Sequence, residues 1–234
     1  MNILITGASR GIGAATFDLL RSTGHTVAGH STAGSDELIA ADFTDPVGPR
    51  ILWEAAVERL GHIDVLVNNA GIYEGVADDA PDAEWHAVWQ RTLTVNLQAS
   101  ADLARLAIAH FRTRGSGGRI VNVSSRAGHR GDSPEHWHYA ASKAGLLGMT
   151  KTIARGYARE NILAFAVCPG FTMTGMVEDF MASRGIGDQV LAEIPLGRVS
   201  TADEVAETIR WLATDAPAAS TGSVIDVNGA SYVR

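Results

Sequence analysis

The sequence predicts a doubly wound α/β fold: one parallel sheet of about seven strands with helices on both faces. Short apolar runs bounded by turn residues alternate with longer segments of helical period along all 234 residues. No internal repeat, low-complexity run or linker-like break interrupts that alternation, so 1–234 reads as a single domain. A glycine-rich turn, TGASRGIG at 6–13, joins the first strand directly to the first helix.

The strands are expected near 2–6, 25–30, 37–41, 63–67, 119–123, 162–167 and 223–227, where β-branched and other apolar residues cluster between Gly, Asn, Asp and Ser. Helices are expected near 11–23, 49–60, 84–113, 138–159 and 203–214, with further helical pieces between 174 and 192. ILWEAAVERLG and ADEVAETIRWLATD carry apolar residues at three- and four-residue spacing, so each has one face for the sheet. One connection is abnormal. Only residues 31–36 separate the second and third strands, whereas a parallel crossover ordinarily takes a dozen or more.

Bulk composition narrows the function. Hydrophobic residues make up 46% and charged ones 19%, the balance of a folded globular chain. With 19 Lys and Arg against 26 Asp and Glu the net charge is −7, which argues against a non-specific grip on nucleic acid or an anionic membrane. Cys168 is the only cysteine, so no internal disulfide can form and a reducing compartment is expected. MNILITG lacks the basic start and apolar length of a signal peptide, and no run is long enough to span a bilayer; the cytoplasm is the expected location.

Doubly wound sheets bind ligands beyond the carboxyl ends of their strands. There the glycines of TGASRGIG allow a tight turn and close backbone approach, and the following helix offers free N–H groups to a pyrophosphate. Further along, YAASK at 139–143 sets a phenol and an ammonium four residues apart, on one face of a helix. A cation there favours phenolate and would make Tyr139 a better proton donor and acceptor.

TGASRGIG at 6–13, NNAG at 68–71, VNL at 95–97, VNVSS at 121–125, YAASK at 139–143 and PGFTMT at 169–174 occur in the order found in the short-chain dehydrogenase/reductase family, which the chain resembles over nearly its whole length. The resemblance implies a Rossmann-type fold and hydride transfer between a nicotinamide and a carbonyl or secondary alcohol. It implies Tyr139 as proton donor or acceptor, Lys143 as the cation that tunes it and binds the nicotinamide ribose, and Asn96 at a helix kink. Ser125 matches the serine that hydrogen-bonds the substrate oxygen, with Ser124 as the alternative. Around the dinucleotide it implies Gly7, Ser9, Arg10, Gly11, Ile12 and Gly13 in the loop, and Asp42 and Phe43 by the adenine. Asn69, Ala70 and Gly71 would line the cofactor, and Pro169, Gly170, Thr172 and Thr174 would close the nicotinamide side.

The second strand ends in GHST, with His30, Ser31 and Thr32 as hydrogen-bond donors and no carboxylate to repel a 2′-phosphate. Together with the positive charge of Arg10 this predicts NADP(H), with NAD(H) as the alternative and Asp36 as the residue that could reverse the choice. The motif pattern is closest to 3-oxoacyl-acyl-carrier-protein reductases, in which an arginine commonly precedes the segment reading NILAFAV here. This chain has Glu160 at that position, and small ketones or acyl groups off the acidic carrier are therefore the expected substrates. Phe165 also stands where the family commonly has asparagine. A lyase and a non-catalytic dinucleotide sensor on the same fold are the rival readings; intact glycines and Lys143 speak against them. HWH at 136–138 could suggest a metal, but no cysteine or acidic set accompanies it, and none is expected. Trp85 and Trp89, four apart on a helix, read as a core or subunit-contact stripe, and a homo-oligomer, dimer or tetramer, is expected.

Overall fold

The computed structural model describes residues 1–173 and 191–234. Seven strands form one parallel sheet: β1 (Asn2–Ile5), β2 (Thr26–Ser31), β3 (Leu38–Ala40), β4 (Val65–Asn68), β5 (Gly118–Val123), β6 (Ile162–Pro169) and β9 (Val224–Val227). Their order across the sheet is β3-β2-β1-β4-β5-β6-β9, so the chain winds outward from β1 in one direction and from β4 in the other. Two short strands outside it, β7 (Thr172–Met173) and β8 (Ser200–Thr201), pair in parallel with each other. The helical pieces expected between 174 and 192 fall almost wholly outside the described residues.

Strand alternation divides the core into two layers. Leu4, Leu66, Ile120 and Ala164 point to one face, where α2 (Gly48–Leu60), α4 (Ala99–Arg114) and α6 (Trp137–Tyr157) cover them with Leu52, Leu103, Phe111 and Ile153. Ile3, Ile5, Val67, Val123 and Phe165 point to the other, against Phe17 and Leu20 of α1 (Gly11–Ser22) and Val205, Ile209 and Leu212 of α7 (Ala202–Thr214). Phe165 is fully buried there, with the Arg119 guanidinium 5.9 Å from its ring centre. A Thr201–Glu204 capping box starts α7, each side chain bonding the other residue's amide, at 3.2 and 2.8 Å.

The short connection after β2 is real, and its geometry explains how it closes. β3 has three residues and pairs only with the last half of β2, Gly29 to Leu38 through Ser31 to Ala40. The chain therefore returns by only two residue levels before running parallel again, and a helix is not needed. Residues 32–37 make that return as tight turns: the Gly34 amide bonds the Ser31 hydroxyl at 3.0 Å, and the Leu38 amide bonds the Ser35 hydroxyl at 3.1 Å. The helix expected over 84–113 is not continuous. A π-turn at Thr94–Gln98 separates α3 (Asp82–Leu93) from α4, and Asn96 lies at its centre.

Candidate active site

A cleft of about 510 Å³ opens at the carboxyl ends of β1, β2, β3 and β4, lined by the glycine loop, by His30, Ser31 and Thr32, by Asp42 and Phe43, and by Asn69, Ala70 and Gly71. The loop's shape is enforced from below. Gly7 has φ +68° and Gly11 φ +57°, and a methyl group on Gly13 would drive into the Gly7 carbonyl oxygen. The Asn69 amide donates to the Thr6 and Gly7 carbonyls at 2.9 and 3.0 Å, and the Thr6 hydroxyl accepts the Asn69 and Ala70 amides, each at 2.9 Å. No side chain caps α1, and its first turn holds no acidic residue. Its N–H groups face the cleft from a cradle in which a Cβ has no room, the arrangement a dinucleotide pyrophosphate requires.

His30 is not the free donor the sequence suggested. It is 3% exposed; Nε2 lies 2.9 Å from the Ala41 carbonyl, so the proton sits there, and Nδ1 accepts the Gly7 amide at 3.2 Å. Its ring stacks on Phe43 with centres 4.4 Å apart. Burial holds its pKa below the usual imidazole value. Ser31, Thr32 and Arg10 remain at the cleft, and the Arg10 guanidinium has no partner among the described residues. Asp42 also reaches the cleft, but its Oδ1 accepts the Thr44 amide and hydroxyl, both at 2.8 Å. Asp36 is exposed on the β2–β3 turn and does not line the cleft.

A smaller cavity of about 180 Å³ adjoins this cleft, sharing Ile12, Asn69, Gly71 and Ile72 with it. Ser125, Tyr139 and Lys143 line it, with Pro169, Gly170 and Thr172 on the far side; Thr174 lies outside the described residues. The two serines have separate tasks. Ser124 is 3% exposed and donates to the Lys143 carbonyl at 2.8 Å, which ties β5 to α6. Ser125 accepts the Ala127 amide at 3.1 Å and lines the cavity with the Tyr139 phenol. The short helix α5 (Ala127–Arg130) after it packs tightly on α6, since a Cβ on Gly128 would come within 2.8 Å of the Lys143 carbonyl carbon.

Lys143 is buried, donates from Nζ to the Val123 carbonyl at 3.0 Å, and stands 5.6 Å from the Tyr139 ring centre. Burial pushes the ammonium down to about 8. It pushes the Tyr139 phenol up to about 12, with the Ser125 hydroxyl opposing. The sequence reading expected the reverse for Tyr139, because the cation's pull is legible in a four-residue spacing and the loss of solvent is not. Asn96 fixes the π-turn: Oδ1 accepts the Ile72 amide at 2.8 Å, while Nδ2 donates to the Ile72 carbonyl at 3.0 Å and the Ser142 hydroxyl at 3.3 Å.

Sequence reasoning missed Tyr73. It lines the smaller cavity, meets Tyr139 edge-on at 4.8 Å and stacks on His136 at 3.9 Å. His138 of the HWH segment turns elsewhere, its Nε2 2.8 Å from the Glu74 carbonyl. Also missed was a buried chain beneath the site, in which Asn68 donates to Asn122 at 2.9 Å and Asn122 to Thr150 at 2.8 Å. Its partners are far apart in sequence, so no local pattern reveals them. Trp85 packs against Trp89 and Trp137, with centres 5.8 and 5.3 Å apart, at the surface where Trp137 is half exposed.

A parallel sheet carrying a glycine-loop cleft and a Ser-Tyr-Lys cavity at one edge defines a class of protein, and sequence comparison agrees with it. A family profile described as Enoyl-(Acyl carrier protein) reductase matches residues 7–230. Acetoacetyl-CoA reductase of Shinella zoogloeoides is 37% identical, the match covering 98% of this chain and 97% of that one. The 3-oxoacyl-[acyl-carrier-protein] reductase FabG of Thermotoga maritima is 39% identical (97% and 95% covered), and that of Escherichia coli 33% (98% and 96%). The chain belongs to the short-chain dehydrogenase/reductase family. It is an NAD(P)-dependent oxidoreductase acting on carbonyl groups.

Proposed function

We propose that the protein is an NADPH-dependent reductase of 3-oxoacyl thioesters and related ketones, favouring substrates free of the acyl carrier. The observation that carries this reading is the meeting of Ser125, Tyr139 and Lys143 at one small cavity continuous with the dinucleotide-shaped cleft. When bound, the nicotinamide supplies the hydride. Ser125 donates a hydrogen bond to the substrate oxygen, and Tyr139 delivers its phenolic proton as charge develops there; a positioned acid of this kind contributes about 10²–10⁴-fold. Lys143, held by the Val123 carbonyl, supplies positive charge beside the phenol and reaches the ribose side near Gly71. Asn96 keeps the helix break that lets Ile72 and Ser142 line up behind them.

The family profile takes its name from an enoyl reductase, and the relatives take theirs from keto reductases. Two hydroxyls converging on one oxygen favour a C=O bond as the hydride acceptor. For the cofactor, Arg10 is unpaired among the described residues and β2 ends without a carboxylate, which supports a 2′-phosphate. For the substrate, Glu160 and Arg112 form a two-pronged ion pair at 2.6 and 2.7 Å, with a carboxylate where acyl-carrier-protein reductases commonly have an arginine. The lyase and sensor readings lack support, since the loop and Lys143 are intact.

Homo-oligomeric assembly through the faces near Trp85 and Trp137 and a cytoplasmic location belong to this reading. No described helix is long and apolar enough to cross a membrane. The test is NADPH oxidation with acetoacetyl-CoA, the carrier-bound acetoacetyl group and simple ketones. Faster turnover of the first or last supports the proposal; a large preference for the carrier-bound form, or no oxidation with any, defeats it.

A further inference from the structure

Behind the catalytic segment lies a second cluster, which the reduction chemistry does not use. His129 of α5, Cys168 of β6 and Asp226 of β9 point their ligand atoms at one another, all within 4.8 Å. His129 Nε2 is 3.4 Å from Cys168 Sγ and 3.5 Å from Asp226 Oδ1. Cys168 and Asp226 are register partners on adjacent parallel strands, so both side chains leave the same face of the sheet, and α5 lowers the imidazole between them.

Protein–protein hydrogen bonds leave this trio under-satisfied. Nε2 carries at most one proton for two neighbours, and Asp226 Oδ1 is buried with no hydrogen-bond partner. Arg234 meets only the other oxygen, Oδ2, at 3.1 Å, so Oδ1 is the position a further cation would complete. Cys168 is fully buried, while the His129 and Asp226 side chains keep 9% and 22% exposure, a route in from solvent.

We propose that His129, Cys168 and Asp226 form a binding site for a zinc-type divalent ion. A tetrahedral ion with bonds of about 2.3 Å to sulfur and about 2.0–2.2 Å to nitrogen and oxygen holds its ligand atoms about 3.3–3.6 Å apart, which the two distances through His129 match. The donor set of thiolate, imidazole and carboxylate suits a borderline-soft metal. Among the described residues no fourth side chain joins the group, so the last position falls to water. The ligands are also held from outside: Tyr232 stacks on His129 at 5.3 Å, and Arg234 bonds Asp226 Oδ2 at 3.1 Å. Burial pushes the Cys168 thiol up to about 11, so the ion must displace that proton to the solvent as it binds.

The site is independent of the reading of the reaction, and its test needs no turnover. Cobalt(II) chloride titrated into the reduced full-length protein should give one equivalent of binding, with visible tetrahedral ligand-field bands and a thiolate charge-transfer band. Stoichiometric zinc should displace both. Cys168→Ser should abolish the charge-transfer band, and both Cys168→Ser and Asp226→Asn should weaken zinc binding at least about 10-fold, an effect of ligand loss. Circular dichroism and a cooperative melt establish that each variant is folded. His136→Asn, which alters the HWH segment, should leave the spectrum unchanged. Absence of a thiolate band in the native protein, unchanged zinc affinity in folded Cys168→Ser, or loss of binding in His136→Asn would each overturn the proposal.

Discussion

His30 and Gly7 are joined by a hydrogen bond from the glycine amide to the imidazole Nδ1 at 3.2 Å, so the buried end of the second strand sets the height of the phosphate loop. Because Nε2 is committed to the Ala41 carbonyl, the ring must stay neutral to accept the Gly7 amide. Replacing His30 with Leu leaves that amide without its acceptor, at a cost of about 1–3 kcal/mol. The folded pKa lies below the unfolded value, so the unfolded chain binds the proton more readily. Stability is therefore full above the ordinary histidine pKa of about 6.5 and falls as pH drops through and below it. Melting temperatures across that range should decline toward acid in the native protein and less steeply in His30→Leu. His25, His110 and His129 are shifted in the same direction and supply the remaining slope.

Tyr139→Phe keeps the ring and its edge contact with Tyr73 and removes only the hydroxyl. Turnover should fall by about 10² or more while NADPH binding, read by fluorescence, persists. Near-native turnover would remove Tyr139 from the proton-donor role.

The pH profile of reduction separates the phenol from the buried ammonium. With the phenol held up near about 12, Tyr139 stays protonated through the neutral range, whereas Lys143 loses its charge as pH rises through about 8. The rate should therefore hold below that value and decline above it, the sign expected when the required form is the cation. A flat profile through that region would place the ammonium outside the rate-determining chemistry.

Arg10→Ala should lower the preference for NADPH over NADH by about 10- to 100-fold, the worth of one charge-assisted bond. The comparison of kcat/KM for the two cofactors, before and after the change, reads this directly. A native preference for NADH would show that Ser31, Thr32 and Arg10 do not form a phosphate site.

Glu160→Arg breaks the ion pair with Arg112 and sets two cations side by side on an exposed surface. Carrier-bound substrate should gain several-fold in kcat/KM over the coenzyme A thioester, and the gain should shrink with added salt, as steering by charge does. No change would mean that the carrier docks elsewhere.

The sheet, its two helical layers and the core of the site were legible in the chain because they rest on local spacing. Short apolar runs such as NILI and ILAFAV, bounded by turn residues, mark buried strands, and Tyr139 and Lys143 share a helix face whatever else the chain does. Gly7, Gly11 and Gly13 are likewise set by the backbone they must permit. Tertiary structure decided what depends on partners distant in sequence. It engaged both nitrogens of His30, gave Ser124 to α6 and left Ser125 at the cavity beside the phenol, and closed the crossover after β2 by shortening β3. It also brought residues 129, 168 and 226 together, a set with no spacing to recognise, because strand register and helix docking determine which distant side chains meet and how much water they lose.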